Sequence, residues 1–293
     1  MDIGFLAAAT AEAGDLAEIA RQIEAHGYES FWVPEHPVIP TEMKTAFPFT
    51  PDNRLPDHYG RWGDPFVALA VAAAVTKRIK LATGICLLPE RESLITAKTI
   101  ATLDVVSKGR VVLGVGAGWL REETEAMGAN FGTRWRRTRE TVEAKKVLWR
   151  EGRGAYNGET IKFPSVRCEP RPVQKSGPPV LLGAHGPKAI ERVARSYDGW
   201  MPLVQDPAQL KRDVAKLREL AVKHGRKSDS LEISPLVEPG PDGLSADVLR
   251  AFHDAGATRI VLLSQRSVQQ TADGEALDLI RRFAPTVERA RAI

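Results

Sequence analysis

Glu35 and His36, adjacent in "SFWVPEH" (30–36), are the residue types in this sequence best suited to proton chemistry. A histidine titrates near neutral pH and can donate or accept a proton. The same pair together with His185 would offer ligand types for a metal ion. However, no two of these side chains have the i, i+2 or i, i+4 spacing of a ligand pair, so we predict no metal site. The alternative for His36 is an ordinary loop histidine.

Three glycines alternate in "VVLGVGAGWLREE" (111–123), directly after a β-branched run. A dinucleotide-binding turn has the spacing G-x-G-x-x-G, and counted from Gly114 the third glycine position is occupied by Trp119. The stretch therefore does not predict a dinucleotide fold. Small residues at 116–118 instead leave room for a flat ring to lie against the backbone, with the tryptophan beside it.

A second glycine turn, "GAHGPKA" (183–189), precedes a helix that begins with proline. Free N–H groups at a helix N-terminus attract phosphate, and Lys188 adds positive charge. We interpret this turn as a candidate phosphate site, although any turn from strand to helix favours glycine. The one dense basic stretch, "TRWRRTRE" (133–140), fits either the solvated start of a helix or an anionic small molecule.

Residues 34–63 form a long irregular segment with six prolines and several aromatic residues. Connections of this length in a compact domain are usually functional or disordered, and the aromatic content argues against disorder. We predict a lid over the substrate; the alternative is an ordered surface excursion. The candidate substrate-facing residues of the lid are Phe47, Phe49, His58, Tyr59 and Trp62.

The elements that must position these residues alternate along the chain. A short apolar run followed by a helical pattern occurs eight times in 293 residues. This alternation predicts an α/β fold with a parallel sheet, and the number of units favours a (β/α)8 TIM barrel. A doubly wound sheet is the alternative, but its phosphate fingerprint is absent from the first turn. We predict one barrel domain over 1–293, with insertions after strands 2 and 4: the lid (34–63) and a hairpin (152–178).

In such a barrel the active site lies at the carboxyl ends of the strands. His36 follows the second predicted strand, and the glycine turns follow the fourth and fifth. We therefore expect these turns and the end of the third strand to line one site. The predicted cofactor-binding residues are Thr83, Gly84, Ile85, Gly116, Ala117, Gly118, Trp119, Ala184, His185, Gly186 and Lys188.

Bulk composition excludes several classes of function. The formal net charge is +4, from 41 basic and 37 acidic residues, and the excess is scattered, so we expect no nucleic-acid partner. Cys86 and Cys168 do not make a disulfide framework and fit a reducing compartment. The N-terminus lacks a signal-peptide pattern, and the longest apolar run, 65–75, is too short to span a bilayer. We predict a cytoplasmic protein without membrane association.

The sequence resembles the luciferase-like monooxygenase superfamily of flavin- and deazaflavin-dependent barrel oxidoreductases. Within that superfamily it is similar to a group of F420-dependent oxidoreductases. The resemblance covers nearly the whole chain and is most specific in "RIKLATGICLLPERESLITAKTIATLDVVSKGRVVLGVGAGWLREETEAMGANF" (78–131) and "DGWMPL" (198–203). The segments "YESFWVPEH" (28–36) and "FVALAVAAAVTKRI" (66–79) fit as well.

This resemblance implies that His36 lies near the reactive ring of the cofactor, where the family commonly has Asp in place of Glu35. It also implies a non-proline cis peptide at Gly84–Ile85, a cofactor wall at 117–118 and a phosphate-binding turn at 184–186. Several family members carry a polar Thr or Asn near the ring after the fourth strand, whereas this chain has alanine and tryptophan there.

The implied cofactor is coenzyme F420, with FMN as the alternative. On the first interpretation the protein transfers hydride to or from a small organic substrate. On the second it is a monooxygenase supplied with reduced FMN by a separate flavin reductase. A third hypothesis is a non-catalytic flavin- or deazaflavin-binding protein. An isomerase or aldolase barrel would need Lys or a carboxylate inside the barrel, and the predicted strands offer none. Dimers are common in the family, so we expect a homodimer.

Overall fold

The computed structural model describes residues 1–48, 50–269 and 274–293. The strands of this part of the chain are β1 (Asp2–Leu6), β2 (Ser30–Val33), β3 (Lys80–Leu87), β4 (Val111–Gly116), β5 (Arg153–Asn157), β6 (Lys162–Arg167), β7 (Val180–Leu182), β8 (Gly199–Trp200), β9 (Glu232–Ile233), β10 (Leu236–Val237) and β11 (Arg259–Leu263). All but β5 and β6 form one curled parallel sheet in the order β10-β11-β1-β2-β3-β4-β7-β8-β9. The other two strands pair as a separate antiparallel hairpin.

Helices follow most of these strands and cover the outside of the sheet. The α-helices are α1 (Leu16–Ala25), α2 (Pro65–Val75), α3 (Ser93–Ser107), α4 (Arg121–Ala126), α5 (Arg134–Glu151), α6 (Pro187–Ser196), α7 (Pro207–Lys223), α8 (Ala246–Asp254), α9 (Gln265–Gln269) and α10 (Glu275–Arg291). Short 3-10 turns occupy Ala11–Ala13, Asp57–Arg61, Leu88–Glu90 and Phe131–Thr133. Among these described helices, none is both long enough and apolar enough to cross a membrane.

The segment 232–237 connects the two ends of the sheet. β9 pairs with β8, β10 pairs with β11, and Ser234 and Pro235 separate the two strands. The Ser234 N–H donates to the carbonyl of Trp200 at 2.9 Å, and the Val261 N–H donates to the carbonyl of Pro235 at 2.9 Å. Because proline has no N–H, the ladder is interrupted here, and the segment forms two short strands instead of one.

Apolar side chains fill both faces of the sheet, as expected for parallel strands covered on both sides. Alternate residues of each strand point to opposite faces: Phe31 packs outward under the helices, and the next residue, Trp32, packs inside the curl. The cluster inside the curl comprises Leu6, Ala8, Trp32, Ala82, Val112, Leu181, Met201, Val261 and Val268.

A buried ion cluster lies at the amino ends of the strands. Arg259, the first residue of β11, is 1% exposed. Its Nε and Nη2 donate to the two carboxylate oxygens of Glu29 at 2.7 and 2.9 Å. Its guanidinium also bonds Glu232 and, at 3.1 Å, the hydroxyl of Ser234. In barrel-like folds this end of the sheet serves stability, whereas ligands bind at the opposite end.

The structure describes the two segments that were predicted as insertions, 34–63 and 152–178, apart from residue 49. Residues 34–56 run without helix or strand among their described members, and the turn Asp57–Arg61 follows. The β5–β6 hairpin lies between α5 and β7, within the predicted 152–178 segment. The structure also contains α4, which the periodicity did not indicate because six residues are too few to establish a helical pattern.

Candidate active site

His36 follows the carboxyl end of β2 and lies in a cluster of aromatic rings. Its ring centroid is 5.3 Å from that of Tyr59, 5.6 Å from Trp62 and 6.1 Å from Trp119. Phe47 is 2% exposed, and its ring lies 5.1 Å from Tyr59 and 5.3 Å from Trp119. The structure thus places three predicted lid residues against the predicted histidine and against the residue that follows the β4 glycines.

His58 and Trp62 of the predicted lid also contact neighbouring residues. His58 is 5% exposed, its ring lies 4.8 Å from that of Tyr59, and burial, with the nearby Arg61 charge, lowers its pKa. The indole N–H of Trp62 donates to the carbonyl of Val268 at 3.0 Å, which ties this segment to α9. Phe49 lies outside the described residues.

One ring nitrogen of His36 is held by a buried acid. Nδ1 of His36 is 2.6 Å from Oε2 of Glu123, and the two side chains are 6% and 0% exposed. A hydrogen bond of this length to a carboxylate is of the charge-assisted type, and the carboxylate accepts it. The proton therefore lies on Nδ1, which leaves Nε2 as the ring nitrogen available to a bound molecule.

Glu35 is engaged differently from its neighbour in sequence. Its buried carboxylate accepts hydrogen bonds from the Leu87 N–H at 2.7 Å and from Nε of Arg91 at 2.5 Å. Arg91 also donates to Asp64, the N-cap of α2, at 2.5 Å. Glu35 therefore joins the end of β2 to the end of β3 and, through Arg91, to α2.

Helix α4 directs two consecutive acids to different partners. Glu123 contacts His36, whereas Oε1 of Glu122 accepts the backbone N–H groups of Lys44 at 2.7 Å and Thr45 at 3.0 Å. Burial raises the pKa of Glu122, but the hydrogen bonds from Thr45 and Lys44 outweigh it and lower this pKa to about 2. One short helix thus holds both the histidine and the lid.

A further buried acid, Glu90, lies near Glu123. It is 1% exposed, and its Oε1 is 2.9 Å from the hydroxyl of Thr124. Burial, followed by the negative charge of Glu123, raises the pKa of Glu90 to about 8. Gly118 provides the space for this carboxyl: its φ is +74°, and a Cβ there would lie 2.6 Å from Oε1 of Glu90.

The ends of β3, β4 and β7 form a wall of small residues around one isoleucine. The Gly84–Ile85 peptide bond is cis, as the family resemblance implies. A Cβ on Gly116 would lie 2.1 Å from Cδ1 of this isoleucine, and a Cβ on Gly183 would lie 2.7 Å from its Cγ2. Ala117 continues the wall and is 3% exposed.

Two predicted cofactor residues hold strands together. The Thr83 hydroxyl donates to the carbonyl of Gly114 at 2.7 Å, and Thr83 is 1% exposed. The carbonyl of Ala184 accepts the indole N–H of Trp200 at 2.9 Å. These contacts connect β3 to β4 and the β7 turn to β8.

The turn before α6 is open to solvent. Gly186 has a φ of +79°, no described atom lies within 4 Å of its Cβ position, and no side chain caps the helix in the described structure. His185, Gly186 and Lys188 are exposed. The first two line a cavity of about 690 Å³ together with residues of β8 and α7 such as Trp200 and Gln209.

Cationic side chains stack beside this turn. Arg192 of α6 lies 4.2 Å above the Trp135 ring, and Arg134 lies 3.6 Å above the Phe131 ring. Nε of Arg134 donates to the carbonyl of Gly118 at 3.1 Å, and burial with neighbouring arginine charges lowers its pKa. The start of the Arg-rich stretch is thus partly packed between the β4 glycines and α6.

Within residues 1–48, 50–269 and 274–293, no group of three or more His, Cys, Asp or Glu side chains is placed to hold a metal ion. His185 is exposed beside α6, whereas Glu35 is committed to Arg91 and His36 to Glu123.

Sequence reasoning missed the acids Glu90, Glu122 and Glu123. The available signal was the pair "EE" directly after the glycine turn of β4, at the end of the sheet where the site was expected. Charged residues on a short helix are usually solvated, so the pattern gave no reason to bury either of them.

The chain is similar to known protein sequences and to solved structures. The profile of the family described as luciferase-like monooxygenase matches residues 3–255. An uncharacterized protein of Mycobacterium tuberculosis strain H37Rv is 41% identical over 259 residues, 87% of this chain and 89% of that protein. The F420-dependent glucose-6-phosphate dehydrogenase of Kineococcus radiotolerans is 31% identical over 206 residues, 69% of this chain and 56% of that protein.

The fold is similar to that of a solved monooxygenase. The crystal structure of RslO1 from Streptomyces bottropensis superposes with a TM-score of 0.74 at 21% identity, covering 97% of this chain and 98% of that one.

Proposed function

Since the chain belongs to the luciferase-like monooxygenase family, we propose that it is an oxidoreductase that binds coenzyme F420 and transfers hydride to or from a small organic substrate. The 31% identity to an F420-dependent dehydrogenase supports this choice of cofactor. The observation that carries the proposal is His36, which follows the carboxyl end of β2 with a side chain that is 6% exposed and oriented by Glu123.

The residues present fit a flat ring cofactor. The wall at 116–118 has no large side chain, and Gly116 and Gly183 both lie close to Ile85. The two glycines leave room for the isoleucine side chain, which a Cβ on either of them would overlap. In the proposed complex a planar ring lies against the backbone at the small residues 116–118, with Trp119 and the lid aromatics covering it.

The turn before α6 fits a phosphate. Its exposed first residues, the absence of a capping side chain in the described structure and the adjacent cavity leave the helix N-terminus free to bind an anion. Lys188 on the first turn and Arg192 one turn further on add positive charge. Both F420 and FMN carry a phosphate, so this turn would hold either one.

When bound, F420 supplies a hydride carrier that reacts poorly with oxygen, whereas reduced FMN supplies oxygen chemistry. The protein orients the reactants and manages a proton. Glu123 keeps the His36 proton on Nδ1, so Nε2 is the atom that takes a proton from, or returns one to, a bound molecule. The aromatic residues of the lid surround the histidine ring, and Glu35 holds the strand ends that carry it.

The experiment that tests the proposal is titration of the purified apoprotein with F420 and with FMN, followed by absorbance and fluorescence. We expect tighter binding of F420. Lys188→Glu should weaken the binding of both cofactors because it reverses a charge at the phosphate turn, whereas Lys211→Glu on the exposed face of α7 should not. A protein that purifies yellow with bound FMN, or that prefers FMN, would reverse the assignment.

The two alternative functions give different outcomes. An FMN-dependent monooxygenase would bind FMN more tightly and would consume oxygen when a separate reductase supplies reduced flavin. A non-catalytic binding protein would bind cofactor without turnover of any reduced-cofactor or substrate mixture. The fold is common to all three, so the site residues and the titration must distinguish them.

We further propose that the protein forms a homodimer through the outer faces of α2 and α3. The sequence of α2, "PFVALAVAAAV", has no polar residue, although helices that are apolar on all sides are normally buried on all sides. Its solvent-facing Val67 is 66% exposed, and Ile95 and Val106 of the neighbouring α3 are 68% and 56% exposed. A two-fold axis would bury this patch against its own copy.

A further inference from the structure

The buried carboxyl groups of Glu90 and Glu123 have too few hydrogen-bonding and cationic partners for both to be ionised. Glu90 and Glu123 are 1% and 0% exposed. Within the described chain, no hydrogen-bonding group reaches Oε2 of Glu90 or Oε1 of Glu123. The nearby cation, Arg91, is already bonded to Glu35 and Asp64. Two ionised carboxylates in this setting would repel each other without compensation, so one of them must hold a proton.

Thr124 is a limited partner for Glu90. Its hydroxyl has a single proton and two neighbouring oxygens, the carbonyl of Leu120 at 3.0 Å and Oε1 of Glu90 at 2.9 Å. The proton can serve only one of these oxygens at a time. When it is donated to Leu120, as a threonine inside a helix commonly does, Thr124 gives Glu90 no hydrogen bond that would stabilise a negative charge.

The electrostatics point the same way. Burial and the charge of Glu123, with a smaller contribution from Glu35, outweigh the opposing hydrogen bond of Thr124 and raise the pKa of Glu90 to about 8. Glu123, in contrast, has His36 as a hydrogen-bond partner at 2.6 Å. The charged groups around this pair include Glu35, the Arg91 that neutralises it, and the histidine itself. From α5, Arg137 donates to the carbonyl of Pro89 and Arg134 to that of Gly118, both at 3.1 Å.

We propose that Glu90 and Glu123 form a buried pair that holds one proton, carried by Glu90, and that the remaining charge on Glu123 sets the state of His36. Neutral Glu90 leaves Glu123 as the single buried charge, and Glu123 keeps the His36 proton on Nδ1. When Nε2 of His36 takes a proton, the positive charge of the imidazolium is balanced by Glu123, and no proton leaves the pair. Both acids are positioning residues, because they act through the histidine.

The structure also provides a route by which Glu90 exchanges its proton. Glu90 and His36 both line a cavity of about 350 Å³ that opens between the first residues of α2 and α3. Above the pKa of Glu90 a second negative charge appears beside Glu123, which favours the protonated form of the histidine. A role of the Glu90–Glu123 pair in catalysis rests on the proposed function, but the protonation states of the two acids do not.

Infrared spectroscopy of the cofactor-free protein in D₂O at pH 7 tests the neutral state of Glu90. We expect a carbonyl stretching band of a protonated carboxylic acid that disappears in Glu90→Gln. The band should persist in Glu125→Gln, which changes an exposed acid of α4 that pairs with Arg121 at 3.1 Å. A wild-type spectrum without the band, or a band unaffected by Glu90→Gln, would overturn the proposal.

Nitrogen-15 NMR of the His36 ring tests the coupling, again without cofactor. At pH 7, Glu90→Gln should leave the His36 proton on Nδ1, since it replaces one neutral group by another. Glu123→Gln should redistribute the proton between the two ring nitrogens, because the carboxylate that accepts from Nδ1 is lost, and Glu123→Asp should restore part of the original distribution. Equal redistribution in both Gln variants would mean that Glu90 is charged and would refute the proposal.

These measurements separate the proposal from the proposed function. If Glu123→Gln fails to fold, the infrared comparison of Glu90→Gln with Glu125→Gln still decides the proton state. If neither F420 nor FMN binds in the titration, the proposed function fails while the spectroscopic result on the acid pair stands.

Discussion

Oε2 of Glu123 lies 2.6 Å from Nδ1 of His36, although 87 positions separate the two residues in the chain. The contact joins the end of β2 to α4, which follows the glycine turn of β4. It determines which ring nitrogen of His36 is free to contact a bound molecule, and it places Glu123 in the site.

His36→Ala should reduce turnover by about 100-fold or more, since positioned acid–base groups contribute on this scale. Circular dichroism and the thermal midpoint should show that the fold survives. His224→Ala is the matched control, because His224 lies on the surface beyond α7 and pairs with Glu191 at 2.7 Å. Unchanged turnover in His36→Ala would remove this residue from the mechanism.

Glu122→Gln should loosen the lid without disturbing His36. The carboxylate holds the N–H groups of Lys44 and Thr45, and a neutral amide oxygen is a weaker acceptor. We expect faster amide hydrogen exchange at 44–45 and a higher KM with a smaller change in kcat.

The same anchor should depend on pH. Because the pKa of Glu122 is lowered to about 2, the contribution of this group is complete above its ordinary value of 4.5 and is lost as the pH falls toward 2. Lid exchange that is as slow in Glu122→Gln as in the wild type would contradict the assignment.

Gly114→Ala should destabilise the protein, because a Cβ there would lie 2.2 Å from the carbonyl oxygen of Thr83. Backbone cannot move aside as a flexible side chain can, so we expect a loss of about 3 kcal/mol or failure to fold. Gly60→Ala is the control, since the nearest atom to its Cβ is 3.8 Å away. Urea unfolding of both variants measures the difference, and equal stabilities would show that the sheet accommodates the methyl group.

Glu29→Gln should lower the free energy of unfolding at pH 7 by about 3 kcal/mol, because it breaks the bidentate pair with buried Arg259. Burial raises the pKa of Glu29, but the hydrogen bonds and charge of Arg259, helped by Lys80, lower it to about 2. The pair therefore stabilises the fold fully above pH 4.5 and loses this effect as the pH falls toward 2.

Urea unfolding at pH 7 and at pH 3 checks this prediction, since the gap between wild type and Glu29→Gln should narrow at the lower pH. Glu18→Gln, which removes an exposed pair with Arg21 at 3.3 Å, should change stability little at either pH. A gap that is independent of pH would contradict the lowered pKa.

Val67→Glu combined with Val71→Glu should convert the proposed dimer to a monomer, because two charges would be buried at the two-fold interface. Light scattering after size-exclusion chromatography gives the mass of each species. Val222→Glu is the control, as this residue of α7 is 59% exposed but lies away from the α2–α3 face. A wild-type protein that is monomeric at high concentration would refute the interface.

Much of the fold follows from local patterns. The alternation of apolar runs with helical segments indicates a parallel sheet because each pattern reflects burial of its own element. Asp64-Pro65 marks a helix start that the structure reproduces as the N-cap and first residue of α2. Pro235 is visible in the sequence as a residue that cannot donate to a strand ladder. Where it interrupts the sheet depends on which strands lie on either side of it.

The sequence by itself determined the class of fold, the family resemblance and the presence of a histidine after the second strand. Only the tertiary structure decided that Glu35 holds Arg91, that Glu122 and Glu123 turn to the lid and to His36, and that Glu90 is buried beside them. The physical reason is that secondary structure depends on residues near in the chain. Hydrogen bonding and desolvation of an acid depend instead on which distant segments are brought within about 3 Å of its oxygens.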